Sequence, residues 1–267
     1  MAGVPVLAAF LVAIFACVEV PMTGRKQLLL TTESEEASLG ADAFKEVLAK
    51  ETVTRNVSHA ALVTRVGQRI AAVTGKNYAW DFKVIDSKTE NAFCLPGGKV
   101  AFYEGILPAC ETEAGVAVVM GHEVAHATAR HGGERMSQGI LAGGLTMALG
   151  EVLKAKGVSP TRTNIAMGAF GLGAQLGVLL PYSRKHEMEA DYIGTMYMAQ
   201  AGYDPEEAPR FWERFAAKHK GAQMPAFLST HPNDGIRAAK LRENLPRAKD
   251  EYAKSPARHG LGEKIDK

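Results

Sequence analysis

Apolar and polar positions along this chain change period several times, and each change marks an element. Thr32-x-x-Glu35 forms a capping box that predicts a helix running to about Ala49. A second helix is predicted from about Ser58 to Val73, with Gly75 as its stop. Trp80-Asp-Phe-Lys-Val-Ile-Asp86 alternates at period two and predicts a strand. Residues 91–95 and 99–103 predict two more, separated by Pro96-Gly97-Gly98. An edge strand here can hold an extended peptide by backbone pairing, while Phe93 and Phe102 are assigned to the core. A helix then spans about Thr112 to His131, ended by Gly132-Gly133, with His131 as a C-terminal histidine favoured by the helix dipole. Asp204-Pro205-Glu-Glu207 starts a further helix that ends near Gly221. The stretch after about Pro246 is charged, poor in large apolar residues, and expected to pack loosely.

Residues 137–180 are rich in Gly and Ala and include the uncharged run Ile165-Ala-Met-Gly-Ala-Phe-Gly-Leu-Gly-Ala-Gln-Leu-Gly-Val-Leu-Leu180. The apolar run falls short of the ~20 residues that cross a bilayer, so a buried or cleft-covering helix is expected, with a membrane-inserting helix as the rival reading. Gly173-x-x-x-Gly177 permits close helix packing, a weak signal outside a membrane span. The inventory gives an α+β, mostly helical chain with a small β-sheet beside the helix at 112–131.

The 267 residues are 46% hydrophobic, enough for one sizeable core, and no composition break divides them. A net charge of +2 gives no support to nucleic-acid binding. The first 16 residues are almost wholly apolar and lead through Ile14-Phe15-Ala16 to Cys17. Residues 1–17 are therefore expected to be a signal peptide or lipoprotein signal, with a single domain over 18–267 and a charged tail from about 247. An acylated Cys17 would place a membrane-anchored lipoprotein in the periplasm of a bacterial envelope. The apolar run lacks a preceding Lys or Arg, and Phe15 is large for its place. A cleaved secretory peptide or a single membrane anchor are the rival readings. Cys94 and Cys110 are expected to be buried and free.

The chemistry is carried by His122-Glu123-Val124-Ala125-His126. On a helix, positions i and i+4 share a face, so both imidazoles aim at one ion. Glu123 lies about 100° round the axis, where it can reach an attacking water. Two histidines plus one more protein ligand leave a position open, the pattern of catalytic zinc. The third ligand is not the metzincin histidine, because Ala129 and Gly132 stand where that class has Gly and His. Downstream, Ser183-Arg-Lys-His-Glu187-Met-Glu-Ala-Asp191 puts two carboxylates at i and i+4. Glu187 can ligate, and Asp191 can accept the outer N–H of a ligand histidine and fix its tautomer. Glu189 and His186 point off that face. Ala190 and Gly194 are small enough for close packing against another helix.

These two stretches resemble the HtpX-like and BepA-like gluzincin metallopeptidases, relatives of the CaaX prenyl protease. Their pattern is H-E-x-x-H followed, several dozen residues on, by E-x-x-A-D. The resemblance implies a zincin-type fold and one Zn2+ per chain. The ligands would be His122, His126 and Glu187, with Glu123 as general base and Asp191 as a supporting residue or proton donor. Asn91-Ala-Phe-Cys-Leu-Pro-Gly-Gly98 is similar to strands beside the family's substrate cleft. Ser229-Thr-His231-Pro232 is similar to a family turn whose histidine can approach the zinc.

The implied activity is zinc-dependent endopeptidase cleavage of extended or misfolded envelope proteins. The oxyanion donor is left open among His231, Tyr182 and Arg237; His231 can alternatively fill the open zinc position. A zinc-bound chaperone or assembly factor for outer-membrane proteins is the rival, with a small-substrate hydrolase behind it.

Overall fold

The computed structural model describes residues 17–174, 180–221, 225–231 and 236–265, with side chains left aside at 169–174, 180–183 and 230. The signal expected at residues 1–17 lies outside these but for Cys17, as do Gly177 and Pro232. Along the chain, β1 (Cys17–Glu19) and β2 (Lys26–Leu28) precede α1 (Glu33–Lys50) and α2 (Val57–Ala72). Next come β3 (Asp81–Ile85), β4 (Ala92–Leu95), β5 (Lys99–Tyr103) and the short α3 (Leu107–Cys110). Helices α4 (Glu113–Thr128), α5 (His131–Ala155), α6 (Pro160–Ala174) and α7 (Leu180–Gln200) follow. The described chain closes with α8 (Glu207–Lys218), α9 (Ala226–Thr230) and α10 (Arg237–Lys254). The α+β, mostly helical expectation holds.

Contacts divide the chain into two compact units, one of residues 1–32 with 131–186, the other of 33–130 with 187–267. In the first, β1 and β2 pair antiparallel and β2 packs against α5. Arg25 clasps Glu134 through two hydrogen bonds of 2.7 and 3.0 Å, and His186 reaches the same carboxylate at 2.9 Å. Burial opposes ionisation of Glu134, but His186 and Arg25 overcome it and hold the carboxyl down to about 2.

In the second unit, β5 is the middle strand of a three-stranded sheet, parallel to β3 and antiparallel to β4. Val100, Ala101 and Phe102 on β5 are fully buried, and β4 packs against α4. Thr112 caps α4 by accepting the N–H of Gly115 at 3.2 Å. Every residue of α4 from Ala114 to Thr128 is buried. Its sequence is apolar on all sides for that reason, with His122, Glu123 and His126 as the exceptions.

Three expectations are corrected. His131 does not close the metal-binding helix: α4 ends at Thr128, Arg130 turns left-handed at φ 58°, and His131 opens α5 with Gly132 and Gly133 inside it. The charge after Pro246 does not end the ordered chain: α10 continues to Lys254 and buries Ala248, while the other described residues beyond Pro246 are exposed or partly exposed. Beyond it, Tyr203 bridges to His259 and Thr112 to Lys264. The Gly/Ala-rich stretch is not a buried helix where it is described: α5 and α6 leave Ile140, Leu145, Met147 and Ile165 exposed.

The close approach expected of Ala190 and Gly194 is present. A Cβ on Gly194 would lie 2.6 Å from the Gly121 carbonyl carbon, and one on Gly121 would lie 2.6 Å from the Gly194 oxygen. Here α4 and α7 touch backbone to backbone, and no side chain can be inserted without moving a helix. Gly194→Ala is expected to lower unfolding stability by about 1–3 kcal/mol in chemical denaturation. It should also lower zinc content, because the residues expected to hold the ion lie on these two helices; unchanged stability and zinc content would refute this packing.

Candidate metal centre

The i, i+4 spacing on α4 brings His122 Nε2 and His126 Nε2 to 3.1 Å of each other. From α7, Glu187 places Oε2 3.3 Å from His122 Nε2 and Oε1 3.4 Å from His126 Nε2. His231, which caps α9, adds Nδ1 at 3.2 Å from His122 Nε2 and 3.1 Å from Glu187 Oε2. All four residues are buried, and their donor atoms lie within 4.8 Å of one another. A tetrahedral zinc with ligands at ~2.1 Å has an edge of about 3.4 Å, so these separations suit one small divalent ion. Two further observations agree. Three imidazoles and a carboxylate are the donor chemistry zinc takes, and the buried Glu123 Oε1 has no hydrogen-bond partner, with His231 Nε2 3.3 Å away but poorly aligned.

His122 is held from behind. His122 Nδ1 lies 3.0 Å from Asp191 Oδ1, which fixes the ring with Nε2 facing the ligand cluster. Asp191 is itself gripped by Arg237, through Nε at 2.7 Å and Nη2 at 2.6 Å. The Arg237 guanidinium is fully buried and lies 3.6 Å over the Trp212 ring. Burial disfavours ionised Asp191, yet Arg237 and His122 keep it below the usual carboxylate range. The same balance holds for Glu187, where His126, His122 and His231 outweigh burial and drive the carboxyl far down.

Glu123 has the opposite environment. Burial raises its carboxyl to about 7, the Glu187 charge adds to the rise, and His231 and a hydrogen bond from the Cys94 backbone restrain it. That bond ties β4 to the carboxylate. In β4 the Asn91 and Leu95 carbonyls bond towards β5 and its turn, so the backbone of Cys94 faces the other way, towards Glu123.

The structure brings together His122, His126, Glu187, Glu123, Asp191 and His231, as the sequence motifs anticipate. Arg237 is present too, but its guanidinium is committed to Asp191 and is therefore a support for the metal-facing histidine. The side chain of Tyr182 lies outside the described residues. Glu189 and His186 stay outside the donor cluster as expected, His186 pairing with Glu134. Cys94 and Cys110 are free thiols, and burial is the main cause that raises both in pKa. Sequence reading missed Trp212 and Phe227, whose rings stack at 5.7 Å beside His122. Their spacing from the metal motifs carries no signal, because aromatic positions on an amphipathic helix read as ordinary core.

The model of Peptidase family M48 matches residues 56–245. The mitochondrial metalloendopeptidase OMA1 of Schizosaccharomyces pombe is 38% identical over 252 residues, covering 90% of this chain and 70% of its own length. The human mitochondrial metalloendopeptidase OMA1 is 30% identical over 254 residues, covering 90% of this chain and 48% of its own. The beta-barrel assembly-enhancing protease of Escherichia coli is 31% identical over 164 residues, covering 60% of this chain and 33% of its own. The matched region takes in both metal-motif stretches and His231. With that match and the buried three-histidine, one-glutamate cage beside Glu123, the chain belongs to Peptidase family M48 and is a zinc-dependent metalloendopeptidase.

Proposed function

We propose that this enzyme cleaves internal peptide bonds in extended, unfolded segments of membrane-associated proteins, held along β4. The observation that carries this reading is the Cys94 backbone bond to Glu123, which puts a strand edge and the general base side by side. No described strand pairs with the outer edge of β4, so its backbone can pair with substrate irrespective of side-chain sequence.

Zinc held by the cage supplies Lewis acidity towards water and towards a peptide carbonyl. Glu123 accepts the proton of the attacking water and delivers it to the departing amide nitrogen. Burial, which disfavours its ionised form, favours the uptake of that proton. Asp191 keeps His122 in one tautomer, and Arg237 keeps Asp191 ionised and aimed. His231 occupies the fourth corner of the cage with its other nitrogen towards Glu123, and we assign it as a latch that substrate must displace.

Glu123→Gln should lower cleavage of casein, an unfolded protein, by about 10²–10⁴-fold with zinc content unchanged. Equal cleavage by the two proteins would favour instead a zinc-bound chaperone or assembly factor, the reading suggested by the name of the Escherichia coli relative. In the same assay His231→Ala should raise the rate, since the latch is gone. A fall at constant zinc content would make His231 a transition-state donor.

We further propose that the chain works at a membrane, with Cys17 as its acylation site in a bacterial envelope. Support comes from the apolar run before Cys17 and from the exposure of that cysteine. The mitochondrial relatives favour a second location, the mitochondrion. Growth of a bacterial host with labelled palmitate should label the full chain but not its Cys17→Ala variant. Absence of label from both would remove the lipoprotein reading.

A further inference from the structure

From Gly139 to Gly150 helix α5 carries no charged residue. Its apolar side chains are nonetheless out in the open: Ile140 is 56% exposed, Leu145 59% and Met147 71%. Leu141 is also exposed, and at about 100° per residue these four positions sweep an arc of about 160°. The partner helix α6 packs on a different side, where Gly150 leaves room for the Met167 thioether, and α6 exposes Ile165 as well. Positions Gly139, Gly143 and Gly144 face open space. Contiguous apolar surface of this extent marks an interaction site.

Polarity and charge identify the occupant. Thr146 is the one hydroxyl or amide side chain between Gly139 and Gly150, and it donates back to the Ala142 carbonyl at 2.7 Å. The arc therefore offers no polar side-chain group for a protein partner to pair with, while every helix-internal group is satisfied as hydrocarbon requires. Between Arg135 and Ser183 the sequence has four basic residues, Arg135, Lys154, Lys156 and Arg162, against the single acid Glu151. Three of those cations cluster where α5 turns into α6, a placement complementary to anionic headgroups. No helix among the described residues is long and apolar enough to cross a membrane. We infer that the α5–α6 hairpin is a lipid-docking device: its apolar arc lies in the acyl boundary of an anionic bilayer, and Lys154, Lys156 and Arg162 contact headgroup phosphates. The inference does not depend on the acylation of Cys17 or on the peptidase mechanism.

The test uses the full chain carrying Cys17→Ser and Leu145→Cys, labelled with an environment-sensitive fluorophore, and mixed phosphatidylglycerol–phosphatidylcholine vesicles. A control carries the label at Lys45→Cys, on the exposed face of α1. At position 145 the emission should shift to the blue and be quenched by spin labels on the acyl chains; at position 45 it should do neither. Adding Ile140→Glu and Met147→Glu should raise the lipid concentration needed about tenfold, with helix content by circular dichroism unchanged. Replacing Lys154, Lys156 and Arg162 by Glu should weaken docking on anionic vesicles by a similar factor. The proposal is overturned if the label at 145 stays accessible to an aqueous quencher in the presence of vesicles. It is equally overturned if the blue shift needs no lipid and follows protein concentration, which would make a second copy the occupant.

Discussion

The contact between Gly121 and Gly194 is the constraint on which the metal centre rests. Packed helices with ordinary side chains at their crossing stand 8–10 Å apart. Here the Cβ of either residue would overlap the opposite backbone, so α4 and α7 meet without any side chain between them. Gly121 immediately precedes His122, and Gly194 lies about two helical turns beyond Glu187 and one beyond Asp191. The close crossing thus sets the reach of both carboxylates: Glu187 arrives beside two imidazoles, and Asp191 arrives behind one of them. A wider crossing would leave the same four side chains on the same faces but out of contact.

Charge balance explains why this core tolerates so much polarity. Glu123, Glu187 and Asp191 are buried together, and Arg237 is the fixed cation packed among them. With all three carboxylates ionised, one guanidinium leaves two negative charges in a water-poor site, which one divalent cation neutralises. Arg237 performs its part from the first turn of α10, sandwiched between Trp212 and Asp191. The aromatic ring excludes water from the ion pair and fixes its orientation. Glu123, the carboxyl without a direct cationic partner in hydrogen-bond geometry, is the one raised in pKa, and it is the one whose chemistry requires taking up a proton.

The two compact units solve different problems with similar composition. Helix α4 is apolar on all sides because it is enclosed on all sides. Helix α5 is apolar over much of its length although it is open, and apart from Thr146 its polar side chains are gathered at its two ends. Hydropathy alone does not distinguish these cases, which is why the Gly/Ala-rich stretch reads as a core helix in sequence and stands exposed in the structure.

The residue order alone determined the reaction centre's inventory: i, i+4 periodicity put two histidines on one helix face and two carboxylates on another, and strand alternation located the sheet. Of the two residues at the crossing, Gly194 was legible as a small residue next to the carboxylate motif, whereas its partner Gly121 carried no signal of its own. Other boundaries misled for physical reasons. Gly132-Gly133 looked like a helix stop, whereas the break is made by the left-handed turn of Arg130 just before them. The charge of α10 hid a narrow apolar stripe that Leu241 and Ala248 bury. Only the tertiary structure decided that Arg237 serves Asp191, that His231 completes the cage, and that the Cys94 backbone meets Glu123. Those contacts join residues 29 to 109 positions apart, and pairwise distance across folded elements leaves no periodic trace in a sequence.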